Sequence, residues 1–231
     1  MGNRSYGEAC RFAYALDLVG ERWALLVVRE LLLGPKRFTD LREGLSQAST
    51  NILSERLREL EQAGVIQRRK LEPPAGSWVY ELTEWGRELE PVVTKLGAWG
   101  ARAPSPPEAH QIGSDSIVLA LRSLFDPGSE RDQHVDCGLR LGEDRFHVRI
   151  DGERLELGRG AVEETDIAID TDPGTLAAVI SKQLTLNEAV SSEAMRIEGG
   201  KQAVARFLRH FPMPSPSVCD SAGAAMAGAK A

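Results

Sequence analysis

Thr50, Asn51, Ser54 and Arg58 are the residues of this chain best suited to reading the polar edges of another molecule. A carboxamide such as that of Asn51 matches the paired donor and acceptor on an adenine edge, and the guanidinium of Arg58 suits guanine or a phosphate. Ser49, one residue earlier, can cap the free amides at the start of a helix, and its small size allows close approach to a duplex floor. Two groups of cations flank this set: Lys36 and Arg37 before it, and Arg68, Arg69 and Lys70 after it. Such side chains hold phosphate oxygens and displace condensed counterions. Taken singly, a polar helix face or three adjacent cations on a strand are ordinary solvated surface. Their order along the chain is what points to nucleic acid.

The elements that would carry these residues can be read from periodicity. KRFTDLREGL, a turn, STNILSERLRELEQAG, VIQRRKL and WVYELTEWG predict helix, turn, helix and a two-stranded hairpin, a winged helix-turn-helix. Leu53, Leu57 and Leu60 recur at i, i+4 and i+7, so one stripe of the second helix faces a core and Thr50, Asn51, Ser54 and Arg58 point elsewhere. Upstream, Phe12, Leu16 and Val19 keep helical spacing, and WALLVVRELLL is apolar nearly all round, as expected of a central buried helix ended by Gly34-Pro35. After the hairpin, one helix is expected from Leu82-Thr83-Glu84, with Trp85, Leu89, Val92, Leu96 and Trp99 on its apolar side and a kink at Pro91. Two tryptophans on a terminal helix need a cover. A homodimer through the first and last helices of this half would supply it, and would space two reading helices for half-sites about one DNA turn, roughly 34 Å, apart.

Composition narrows the classes. The chain has 231 residues, enough for two ordinary domains, and a formal net charge of -6. Residues 1–104 nevertheless hold 15 Lys and Arg against 14 Asp and Glu, so an anionic partner should meet this half rather than the acidic remainder. No run of eighteen apolar residues and no signal-like N-terminus is present, so a cytoplasmic protein that does not enter membranes is expected. Cys10, Cys137 and Cys219 and the four histidines are scattered, which predicts neither a disulfide framework nor a metal site, and no cofactor is expected. An enzyme is not expected either. There is no nucleophile-base pair or glycine-rich phosphate loop, although His134 or His147 could join carboxylates in space.

ARAPSPPEAHQIGS, residues 101–114, reads as a linker, with the domain boundaries placed to leave 104–114 between them. Beyond it, Ile117, Leu121 and Leu124 predict a helix. Alternation then predicts strands on Val135, Cys137, Leu139 and Leu141, on Phe146, Val148 and Ile150, on Leu155 and Leu157, and on Ile167 and Ile169. A two-residue turn at Asp151-Gly152 would set Val148 opposite Leu155 and Phe146 opposite Leu157. Asp172-Pro173 and the capping box Thr185 to Glu188 start two covering helices, AMRIEG is a further strand, and Val204, Phe207, Leu208 and Phe211 mark a last helix from about Lys201. The segment 212–231, which holds Cys219, has a disordered composition.

Two resemblances follow from these stretches. DLVGERW, LLLGPKRFTDL, ILSERLRELEQAGVIQRR and YELTEWG, within residues 8–100, resemble the HxlR family of bacterial winged-helix transcription regulators. That resemblance implies a dimeric DNA-binding repressor or activator, with the helix near Ser49 in the major groove and the wing on the backbone. It also places Cys10 where some relatives carry a cysteine that responds to oxidants or electrophiles. The wing tip, Glu72 to Gly76, departs from a basic pattern, so wing contacts are assigned to Arg68, Arg69 and Lys70. FHVRIDGERLELGRG, DIAIDTDPGTLAAVISKQLTLNEAV and MRIEGGKQAVARFL, within about 115–210, resemble the sterol carrier protein type 2-like fold. That likeness implies an apolar tunnel lined by residues such as Phe146, Val148, Ile180, Leu184 and Phe207. The same residues could equally fill a dry core.

The expectation is therefore an α+β chain. A winged helix-turn-helix domain (1–103) is followed by a linker, an antiparallel-sheet-plus-helices domain of sterol-carrier type (115–211) and a tail. The expected function is a homodimeric regulator that binds double-stranded DNA, its affinity modulated by a small hydrophobic ligand in the second domain. The alternative is a thiol switch at Cys10 with the second domain purely structural.

Overall fold

The computed structural model describes residues 5–103, 112–128, 133–160, 164–215 and 217. Most of the expected linker, most of the tail, His110 and Cys219 lie outside them. The described residues form two apolar clusters, one from Val19 to Leu82 and one from Ile117 to Phe211.

The first cluster is built on α2 (Ala24–Leu31), whose Val27 and Val28 are fully buried. Around it lie α1 (Arg11–Val19), α3 (Phe38–Gly44) and α4 (Thr50–Gln62). Leu53, Leu57 and Leu60 of α4 are buried in this cluster, as their spacing required. The hairpin β1 (Ile66–Lys70) and β2 (Trp78–Leu82) follows, with Ile66 paired to Leu82 and Lys70 to Trp78. Lys36 adds an isolated antiparallel bridge to β2, since its N–H donates to the Tyr80 carbonyl at 2.9 Å and its carbonyl accepts from the Tyr80 N–H at 2.8 Å. α1 departs from expectation. Val19 is buried, but Phe12 is 72% exposed.

The single kinked helix expected after the wing is two helices, α5 (Glu84–Arg87) and α6 (Glu90–Gly100). Pro91 has no N–H for the Arg87 carbonyl, so the chain stops and restarts, and Pro91 occupies the first turn of α6, where a missing donor costs nothing.

In the second cluster, α7 (Ser114–Leu124) begins within the expected linker, with Gly113 as its N-cap. A five-stranded sheet follows, in spatial order β5-β4-β3-β6-β7: β3 (His134–Leu141), β4 (Asp144–Asp151), β5 (Arg154–Arg159), β6 (Ile167–Thr171) and β7 (Met195–Glu198). The sheet is mixed rather than antiparallel throughout, because β3 and β6 run parallel, with Cys137 beside Ile167 and Leu139 beside Ile169. The β4–β5 register also differs from expectation. Val148 faces Leu157 and Ile150 faces Leu155. The two-residue loop is Gly152-Glu153, not Asp151-Gly152, which puts Gly152, at φ +60°, in the first central position, where a hairpin turn demands positive φ. α8 (Pro173–Ile180), α9 (Leu186–Ser191) and α10 (Lys201–Leu208) cover the apolar face together with α7. Asp172 caps α8, and the Thr185–Glu188 capping box starts α9. The described part of the tail is held at Ser217, whose N–H donates to the Arg102 carbonyl at 2.8 Å.

Candidate nucleic-acid interface

Ser49 caps α4, its hydroxyl accepting from the Ile52 amide at 3.4 Å. Because the Leu53–Leu57–Leu60 stripe anchors the opposite side, Ser49, Thr50, Asn51, Ser54 and Arg58 all stand exposed. Arg37 is exposed just before α3, and its backbone N–H donates to the Asp40 carboxylate at 2.9 Å, which fixes the start of that helix. The five expected α4 residues therefore lie on one open surface of an element rooted in the core.

The wing cations are exposed too, but they differ in how free their charge is. Arg68 lies over the Trp78 ring, 4.6 Å from its centroid, and 6.0 Å from that of Tyr80. Trp78, half exposed, is thus part of this surface, although nothing in the sequence pattern singled it out. Arg69 is bound by Glu81, with Nε to Oε1 at 3.0 Å and Nη2 to Oε2 at 2.9 Å. This hydrogen-bonded pair raises the Arg69 pKa and holds Glu81 below the usual carboxylate range, with burial opposing the latter. Lys70, at the strand's end, is exposed.

Lys36 is a correction. It was expected on the phosphates, yet it is 8% exposed, and its Nζ lies 2.5 Å from both Glu30 Oε2 and Asp115 Oδ2. Burial works against a charged Glu30, but Lys36 and Arg29 outweigh it and keep that carboxyl below its ordinary range. Glu30 also backs onto the helix-turn-helix, since a Cβ on Gly44 would stand 2.5 Å from its Oε2. Periodicity had counted Glu30 only as part of a buried helix. The other partner of Lys36, Asp115, is 79 residues further along the chain, too far for local spacing to reveal.

The two cysteines among the described residues separate sharply. Cys10 is exposed at the N-cap of α1, where the amides of Ala13 and Phe12 pull its thiol below the usual range. Cys137 is 1% exposed in the sheet, and burial pushes its thiol far up.

The five residues expected to line a tunnel lie in the second apolar cluster. Phe146, Val148, Ile180 and Phe207 are buried and Leu184 packs against them. Two cavities among the described residues touch none of them. One, with about 510 Å³ of open space, lies between α1 and α5, bounded by Leu18, Val19, Trp85 and Leu89, and the other is an open groove between α9 and α10. Among the described residues, no group of three or more His, Cys, Asp or Glu is placed to hold a metal ion, and no helix is long and apolar enough to cross a membrane.

A capped helix with an open polar face, set between a preceding helix and a two-stranded ribbon, defines a winged helix-turn-helix. The sequence comparisons give the family. Residues 18–107 match the model described as HxlR-like helix-turn-helix. The regulator YvaP of Bacillus subtilis (strain 168), described as an uncharacterized HTH-type transcriptional regulator, is 36% identical over 100 residues, which are 43% of this chain and 93% of YvaP. The HTH-type transcriptional regulator YodB of the same organism is 37% identical over 92 residues, 40% of this chain and 82% of YodB. The crystal structure of quinone-bound YodB from B. subtilis covers 38% of this chain and 93% of its own at 36% identity, with a TM-score of 0.34. The chain belongs to the HxlR family of helix-turn-helix transcriptional regulators, through its first hundred or so residues.

Proposed function

We propose that the protein is a homodimeric transcription regulator that reads double-stranded DNA with Thr50, Asn51, Ser54 and Arg58. Arg37, Arg68 and Lys70 hold phosphates, and Arg69 does so to the extent that Glu81 releases it. The observation that carries this reading is the placement of Ser49 at the cap of α4 and Thr50, Asn51, Ser54 and Arg58 within it on one open face beside exposed wing cations. A dimer accounts for the apolar surface left uncovered: Phe12 and Tyr14 of α1 and Val92, Leu96 and Trp99 of α6 are all about half exposed or more.

The second half, about 115–211, is read as a separate domain, and its order of helix, strands and covering helices supports the sterol-carrier likeness. A hydrophobic effector there would have to open the packed cluster around Phe146 and Phe207, and would regulate only by binding DNA-competent and incompetent forms unequally.

One observation favours a second reading. Cys10 is exposed, with its thiol pKa lowered by helix-start amides, which suits a thiolate that meets oxidants or electrophiles.

The test compares Arg58→Ala and Lys70→Ala by gel shift on DNA from upstream of the protein's own coding region and on random duplex. Arg58→Ala should cost about 1–3 kcal/mol on the preferred site and less on random DNA. Lys70→Ala should weaken both alike and flatten the salt slope by about one unit. Equal losses for both variants on both DNAs would refute the assignment.

A further inference from the structure

Six charged side chains meet where the two halves of the molecule touch. Arg29, Glu30 and Lys36 come from α2 and the turn after it, Asp115 from α7, and Asp144 and Arg159 from β4 and β5. Lys36 bridges Glu30 and Asp115, each at 2.5 Å. Asp115 also pairs with Arg159, which reaches Asp144 at 2.7 Å, while Arg29 reaches Glu30 at 2.7 Å. Glu30, Lys36 and Asp115 are all buried.

Charges removed from water must be balanced locally. The three groups from the first half carry a net +1, because one Glu30 cannot neutralise both Arg29 and Lys36. The three from the second half carry a net -1. Only the docked pair is neutral. The position of the contact gives it consequence: Lys36 directly precedes Arg37 and α3 and is hydrogen-bonded through its backbone to Tyr80 of the wing. It therefore stands at the junction of the two elements that frame the candidate interface.

We propose that the docked second half is an electrostatic brake on DNA binding: Asp115 neutralises the Lys36 ammonium at the junction of helix-turn-helix and wing, and withdrawal of α7 restores a positive charge there for a phosphate. The brake rests on the DNA-binding reading above. It would give the second half a route to DNA affinity, and any effector that loosens α7 would act through it. The contact is reinforced by Arg122 of α7 paired with Glu90 of α6, and by Gly97, where an added Cβ would come 2.8 Å from Ser123 Oγ.

The experiment titrates mixed-sequence duplex DNA with the full-length parent, Asp115→Asn, Lys36→Met and the double variant across a salt series, with circular dichroism to verify folding. Asp115→Asn should bind roughly three- to tenfold more tightly at 0.1 M salt, with a salt slope steeper by about one unit. Lys36→Met alone, which leaves Asp115 without its cation and the cluster at net -1, should bind no more tightly than the parent, and the double variant, neutral again, should return to the parent's affinity. Folded Asp115→Asn that binds no more tightly than the parent, a gain that survives in the double variant, or tighter binding by Lys36→Met would each overturn the brake. Should Asp115→Asn fail to fold, Arg122→Gln decides: freeing α7 from Glu90 should tighten binding, and a folded Arg122→Gln with no gain would overturn the brake. A parent with no affinity for duplex would overturn the DNA-binding reading itself, which separates that failure from failure of the brake.

Discussion

At the scale of single residues, the surface is shaped by which charges have partners. Arg68, Arg69 and Lys70 are neighbours in sequence and all exposed, yet Arg69 is tied by two hydrogen bonds to Glu81, Arg68 is laid over Trp78, and Lys70 stands at the strand end. A carboxylate diagonal to an arginine across a hairpin is enough to divide three like cations into different roles. Cysteine chemistry divides in the same way. Alkylation by iodoacetamide, followed by peptide mapping, should modify Cys10 in the native protein, with a rate that reaches its plateau at lower pH than that of an unperturbed thiol. Cys137 should remain unmodified until the protein unfolds. The sign follows from the two pKa shifts: amides near Cys10 favour the thiolate, and burial of Cys137 disfavours it. Equal labelling of both thiols in the folded state would contradict this account.

At the scale of elements, local rules held where one residue type has one physical use. Ser49, Asp172 and Thr185 each cap the helix they were expected to start, because a short side-chain oxygen before an apolar-periodic run has few other places to satisfy it. They failed where two solutions share one pattern. The β4–β5 hairpin keeps its alternation under either turn, and the demand for positive φ at Gly152 decided between them. Pro91 could have kinked one helix or begun another. The separate α5 that results is held close to the entry of β1, since a Cβ on Gly86 would overlap the Val65 carbonyl. Gly86→Ala should accordingly lower stability by about 1–3 kcal/mol, seen as a fall of several degrees in the melting temperature. An unchanged melting temperature would show that α5 moves aside freely.

At the scale of the whole molecule, two features matter: the uncovered apolar faces of α1 and α6, and the ion cluster where the two halves touch. Phe12 at 72% and Trp99 at 75% exposure lie on the faces proposed to meet a second copy. Phe12→Glu together with Trp99→Glu should therefore convert a two-chain species to single chains in native mass spectrometry and weaken operator binding, as one reading helix is lost from the pair. A parent that is a single chain at micromolar concentration would remove the dimer from the proposed function. Spacing and composition alone established the helix-turn-helix, the wing, the open polar face of α4 and the strands of the second half, because each depends on residues a few positions apart, where backbone periodicity dictates which side chains share a face. The packing together of distant segments decided that Lys36 faces Asp115 instead of a phosphate, that Glu81 restrains Arg69, and that Phe146 and its neighbours fill a core. Burial and charge pairing between segments far apart in the chain have no periodic signature, so only the folded arrangement could choose those partners.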